Sequence, residues 1–271
     1  MRLAQHNIRM PTTSSEPPWR LLDNPKGRTF ADTGCIGAID GSFFPCRANV
    51  EDHPVYRNRH GYISFNVCAV VDFDGRYIYM LAGWEGSAHD MRVFQDAIGR
   101  DLRIPEGKYL LADAGYQPSH RLMTPYRGVR YHLQESARAG LRPVSPEELF
   151  NLRHSQFRIC VEKTFGRHKN TFKILTQAPQ HSVKTHMKVI YATAALLNWI
   201  SDQGFVGGVL PNEANLDNYA GSGPTVLLPE EWDASEDGPM SVLRRDVGNR
   251  MWEKYCNVLE ERGLAPLDPE G

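Results

Sequence analysis

The sequence is short of several things, and each shortage removes a class of function. No run of about 18 apolar residues occurs, so no segment reads as a membrane-spanning helix. The opening residues, Met1-Arg-Leu-Ala-Gln-His6, have no apolar core of the signal-peptide kind, and a soluble intracellular chain is expected. Cysteine is sparse: the five are Cys35, Cys46, Cys68, Cys160 and Cys256. Their number is odd and no pair has C-x-x-C spacing. Buried free thiols are therefore expected, and neither a disulfide framework nor a zinc site. There is no excess of positive charge: 31 Lys and Arg stand against 32 Asp and Glu, a formal net charge of −1. A chain of this balance can grip a polyanion only through local clustering of its cations. Internal repeats and low-complexity tracts are also missing.

What is present is enough apolar residue (41% of 271) for one sizeable domain with extensions. Residues 1–30, with Pro11, Pro17, Pro18 and Pro25, read as an extended or loosely packed arm that could dock through Trp19, Leu21 and Leu22. Residues 31–178 read as the main domain. Cys35–Asp40 is a buried strand stopped by Gly41-Ser42. Residues 46–60 form a polar loop carrying Arg47, His53, Arg57, Arg59 and His60. Strands at 62–71 and 76–82 flank a turn at Asp72–Gly75. Ser87 with Asp90 three residues on is close to a capping box opening a helix that Gly99 closes. A strand follows at 108–113, then an irregular insertion to about residue 147, then a helix from Pro146 to about Lys173. Residues 179–206 hold a packing helix that completes the domain. Residues 207–271 are an acidic extension ending in a helix from about Met240 to Arg262. Strands alternating with helices predict an α/β fold with a mixed central sheet flanked by helices.

Two aspartates fall at strand ends, Asp40 and Asp113, where α/β sheets build their sites, and each has a glycine close by, Gly41 and Gly115. Adjacent carboxylates repel unless a cation lies between them, and hard divalent ions prefer such oxygen ligands. On the helix before Lys173, Glu162 shares one face with Arg158, Gly166, Lys169 and Lys173. Phe157, Val161, Phe165 and Phe172 make an apolar stripe beside it. An acid in a basic lane, with a gap at Gly166, suits a phosphate backbone running past a metal. Each residue also has a plainer reading. A strand-end aspartate commonly forms a turn, Glu162 can simply pair with Arg158 at i,i+4, and Asp90 can be an N3 cap residue.

The blocks Gly37-Ala-Ile-Asp-Gly41, Gly86-Ser-Ala-His-Asp90, Leu111-Ala-Asp-Ala-Gly-Tyr116 and Val161-Glu-Lys-Thr-Phe-Gly-Arg-His-Lys169 resemble, in order, those of the PIF/Harbinger-type DDE transposases and the nucleases derived from them. The 48 residues between Asp113 and Glu162 agree with a separation that family uses. The resemblance covers about residues 34–178, making 31–178 a DDE endonuclease domain. It implies an RNase H-like fold with an insertion before the last catalytic helix, and a metal-dependent DNA endonuclease, with strand transfer as an extension. Its implied catalytic residues are Asp40, Asp113 and Glu162, and its implied metal ligands are Asp40, Asp90, Asp113 and Glu162, holding two Mg²⁺ or Mn²⁺ ions. Arg158, Lys169 and Lys173 are the candidate DNA contacts. The implied partners are DNA and a separate Myb-like DNA-binding protein, in the nucleus, with an oligomer compatible. His168 stands where the family more often has an apolar residue, and Trp84-Glu85 replaces its usual Trp-Pro. The competing reading is a catalytically silent domesticated transposase serving as a chromatin or protein-interaction scaffold.

Overall fold

The computed structural model describes residues 6–117, 119, 121–129, 142–204 and 238–265. Its centre is a five-stranded sheet in the order β3-β2-β1-β4-β5. The strands are β1 (Cys35–Pro45), β2 (Ser64–Val71), β3 (Tyr77–Glu85), β4 (Tyr109–Leu111) and β5 (Leu122–Met123). β1, β2 and β3 form an antiparallel meander, whereas β4 joins β1 in parallel and β5 joins β4 in parallel. The sheet is mixed and flanked by helices, as the alternation of elements predicts, and the arrangement is that of an RNase H-like DDE fold. β2 is buried along its whole length, which is why it reads as a continuous apolar run. The turn before β3 is closed by Asp72, whose Oδ1 accepts from the backbone of Asp74 and Arg76 at 2.9 Å. Gly75 supplies the positive φ of 76° this turn requires.

The chain before β1 is partly helical where it is described. It contains two short helices, α1 (Trp19–Leu22) and α2 (Arg28–Asp32). Leu21 and Phe30 are fully buried and anchor them, whereas Trp19 stays 58% exposed. A one-turn helix, α3 (His53–Tyr56), lies in the loop after β1. Beyond it come α4 (Asp90–Arg100), α5 (Pro146–Thr171), α6 (Val183–Asp202) and α7 (Pro239–Glu261). α4 covers one face of the sheet through Met91, Val93, Phe94 and Ala97. α5, α6 and α7 pack on the other through Phe150, Val161, Phe165, Ile190, Leu197, Val247 and Met251.

Several boundaries differ from expectation, each for a physical reason. β1 does not stop at Gly41-Ser42 but runs on to Pro45, because β2 continues to pair with it from Asp40↔Ala69 to Pro45↔Ser64. α4 opens with His89 as its N-cap, without a side-chain cap bond, so Ser87 and Asp90 make no capping box. Asp90 is the first helical residue and its carboxylate is engaged elsewhere. Gly99 lies inside α4, which is closed at Asp101. β5 falls inside the stretch expected to be irregular; at two residues it is too short to show a period. Ser145 caps α5 by accepting from the Glu148 backbone at 3.2 Å. α5 ends at Thr171, so Lys173 sits beyond it on a short 3₁₀ turn, exposed and off the helical face assigned to it. The acidic stretch 207–237 lies outside the described residues.

Candidate active site

The parallel register of β1 and β4 brings two of the acids together. Ala38 pairs with Leu111, and two residues further along each chain stand Asp40 and Asp113. Neighbouring strands lie about 4.8 Å apart, so these carboxylates share one end of the β1–β4 ladder. Asp40 is within β1 and Asp113 lies in the loop two residues beyond β4. The Asp40 Oδ1 accepts from the Gly41 backbone at 2.8 Å, and Asp113 Oδ1 accepts from the backbone of Gly115.

Glu162 comes from α5, which lies against β1. The docking side is apolar, with Val161 and Phe165 buried, as the expected stripe requires. The acid-bearing side meets Asp40 through an arginine. Arg158 Nη1 donates to Asp40 Oδ2 at 3.2 Å, and its Nη2 donates to Glu162 Oε1. The three side chains keep only 19%, 17% and 23% of their surface exposed (Arg158, Asp40, Glu162), so this cation–carboxylate set is mostly out of water. Burial raises the Asp40 carboxyl to about 7; Arg158 opposes that rise, while the charges of Asp90, Asp113 and Glu162 add to it. Burial lowers Arg158, but Asp40 and Glu162 outweigh it and leave the guanidinium raised. The plain reading of Glu162 as an i,i+4 partner of Arg158 is thus realised, and the same arginine brings Glu162 and Asp40 to one guanidinium.

The fourth acid arrives from the opposite side of the sheet. A side chain on Gly41 would collide with Asp90 Oδ1, so glycine here admits a carboxylate from α4. Asn66 on β2 holds that carboxylate: its Nδ2 donates to Asp90 Oδ1 at 2.8 Å and to the Ala88 carbonyl at 2.9 Å. Burial raises the Asp90 carboxyl, with the Asn66 bond and the charge of Arg59 opposing. Asn66 was missed by sequence reasoning. The available signal was an amide in the middle of an otherwise apolar buried strand, where a polar group needs partners. Its Oδ1 is buried beside Gly41 without a hydrogen-bond partner.

Among the candidate DNA contacts, Arg158 and Lys169 flank Glu162 on α5. Lys169 Nζ donates to Ser42 Oγ at 2.7 Å and lies 4.7 Å from the centre of the Phe44 ring. Burial lowers this ammonium to about 8. Ser42 is two residues past Asp40, so Arg158, Glu162 and Lys169 follow β1 as a lane. A side chain on Gly166 would meet nothing within 4 Å, which leaves the lane open there. His168 does not join it. It is fully buried between the Tyr77 hydroxyl, 3.2 Å from Nδ1, and Thr193 Oγ1, 2.9 Å from Nε2.

Residues 39–198 match the model of the DDE superfamily endonuclease domain. The chain belongs to that family. The matched span opens one residue before Asp40 and covers every acid just described, so the DDE domain of this protein is the sheet with α4, α5 and most of α6. The chain is also 25% identical over 188 residues to an Arabidopsis thaliana protein described as "Protein ALP1-like", a match that takes in 62% of this chain. It spans 43% of that relative's length, less than half. No solved structure matches the chain. Among the described residues, no three His, Cys, Asp or Glu side chains gather closely enough to hold a metal ion. The Arg158 guanidinium bridges Asp40 and Glu162, and none of the helices described is long and apolar enough to cross a membrane.

Proposed function

We propose that this DDE domain, of PIF/Harbinger type, is a metal-dependent DNA endonuclease that hydrolyses phosphodiesters with Asp40, Asp113 and Glu162. The observation that supports the reading is the pair Asp40 and Glu162 sharing one mostly buried cation, the Arg158 guanidinium, with Asp113 set beside Asp40 by the β1–β4 register. The donor set fits a hard divalent ion, Mg²⁺ or Mn²⁺, because it is made of carboxylate oxygens. Asp40, Asp113 and Glu162 would hold it, with Asp90 completing a set for two ions. When bound, such ions supply the positive charge that activates water and stabilises the leaving oxygen.

The chain's own residues have separate duties. Asn66 fixes the Asp90 carboxylate, and the Gly41 and Gly115 amides fix Asp40 and Asp113, so these acids are oriented before any ligand arrives. Arg158 balances the acids in their absence and, released from them, is placed to meet a phosphate oxygen. Lys169 extends the positive lane past the open position at Gly166. A DNA substrate implies a nuclear location and, for sequence choice, a Myb-like partner chain; fluorescence tagging and affinity capture test the two.

The experiment is nicking of end-labelled duplex DNA with Mg²⁺ or Mn²⁺. We expect cleavage that Asp113→Asn abolishes. No cleavage with either ion, or equal cleavage by the variant, contradicts the proposal. That outcome favours the second reading, a silent scaffold, for which the Arg158 bridge is the specific support: it neutralises two of the acids without any ion.

A further inference from the structure

The loop between β1 and β2 has no part in the reading above, yet it carries a built surface next to the acids. Its last turn, Arg57-Asn-Arg-His-Gly-Tyr62, contains two arginines and no acid. The turn is held from inside by Asn58, which is 4% exposed. Asn58 Oδ1 accepts from the His60 and Tyr62 backbones at 2.9 and 3.3 Å, and its Nδ2 donates to Ser64 Oγ at 2.9 Å. Arg57 Nη1 donates to the Gly61 carbonyl at 2.7 Å, and Gly61 takes the positive φ of 84° that closes the turn.

This fixed turn sets rings and cations outward. The His60 and Tyr62 rings stack at 6.3 Å with 17° between their planes, and both residues are exposed. His60 meets Phe43 edge-on at 5.9 Å, and the Arg59 guanidinium lies 5.6 Å from the centre of the same Phe43 ring. Phe43 is on β1, three residues past Asp40 and paired with Asn66, the residue that holds Asp90. At about 3.3 Å per residue, the rings begin about 10 Å along the strand from the first acid.

Rigid aromatic faces edged by arginine, with no carboxylate in the turn, match the chemistry of an unpaired nucleotide: a π face to stack and a phosphate to neutralise. A paired base keeps its faces inside the duplex stack and offers no such surface. We propose that Phe43, His60 and Tyr62, with Arg57 and Arg59, form a seat for an unpaired DNA strand a few nucleotides from the scissile phosphate. The inference rests on DNA being the substrate and assigns the site a preference for frayed or single-stranded ends.

The test measures binding, not cleavage. The full-length Asp113→Asn protein, in EDTA, is titrated with a fluorescent blunt duplex and with the same duplex carrying a six-nucleotide single-stranded overhang. Tighter binding of the overhang is expected. His60→Ala/Tyr62→Ala should weaken overhang binding at least about fivefold and leave blunt-duplex binding unchanged. Arg59→Ala should lower the salt dependence of overhang binding by about one unit of log–log slope. Tyr62→Phe, which keeps the ring, should behave as the parent and so guards against misfolding. Equal affinity for the two DNAs, or a double variant that binds the overhang as the parent does, overturns the seat. If wild type still cuts blunt duplex, that failure leaves the nuclease reading intact. If neither DNA is bound and neither is cut, both fall.

Discussion

Arg158 and Asp40, 118 residues apart in sequence, meet at 3.2 Å, and the same guanidinium reaches Glu162 one turn along its own helix. One cation thus stands between two of the candidate acids of the DDE domain. Substituting it should expose their mutual repulsion. Because these groups are mostly buried, Arg158→Gln is expected to lower the unfolding free energy by about 1–3 kcal/mol in EDTA, measured by urea titration. Arg158→Lys keeps the charge but not the two-armed geometry and should recover only part of the loss. An unchanged urea midpoint for Arg158→Gln would mean the bridge carries no stability.

The core of the domain should sense acid through His168. Burial, helped by Lys169 and Arg167, lowers this imidazole from 6.5 to about 3. A depressed histidine contributes stability that is full above about pH 6.5 and is lost as pH falls toward 3. At pH 5 the cost is about 2 kcal/mol, and His154, also lowered to about 3 by burial, should add a similar amount. His168→Leu should therefore flatten the fall in stability between pH 6.5 and 5. At pH 7 it should be less stable than wild type, since the Tyr77 and Thr193 hydroxyls lose their partner.

Two glycines should respond in opposite directions. Gly41→Ala forces Asp90 away from Asn66 and is expected to destabilise the domain by about 1–3 kcal/mol. Gly166→Ala adds a methyl group to open space inside a helix and should stabilise by about 0.5–1 kcal/mol. If the lane beside Glu162 carries a phosphate backbone, that same methyl should weaken DNA binding. Melting curves and DNA titrations of the pair separate the two effects.

Much of this architecture was legible in the residues themselves. The buried run of β2 and the turn at Asp72–Gly75 show their structure locally, as do the helix start at Pro146 and the apolar stripe of Val161 and Phe165. What escaped depended on distant partners. Gly41 looked like a strand stop because the carboxylate it accommodates, Asp90, lies 49 positions away. β5 exists only because β4 pairs with it. Asp40, Asp113 and Glu162 are candidates read from their setting, and all three fall within the matched span. The Arg158 bridge to Asp40, the Asn66 bond to Asp90 and the Lys169 bond to Ser42 are tertiary facts that no local pattern encodes.

Metal-dependent chemistry at this site requires uptake of a divalent ion by the acids in place of Arg158. Mn²⁺ titrated into EDTA-stripped protein, with the free ion followed by electron paramagnetic resonance, reads this without reference to cleavage. We predict uptake by wild type, loss in Asp40→Asn and Glu162→Gln, and tighter uptake by Arg158→Gln, whose acids have no internal cation to displace. No uptake by wild type, or the same uptake by all four proteins, would contradict the account.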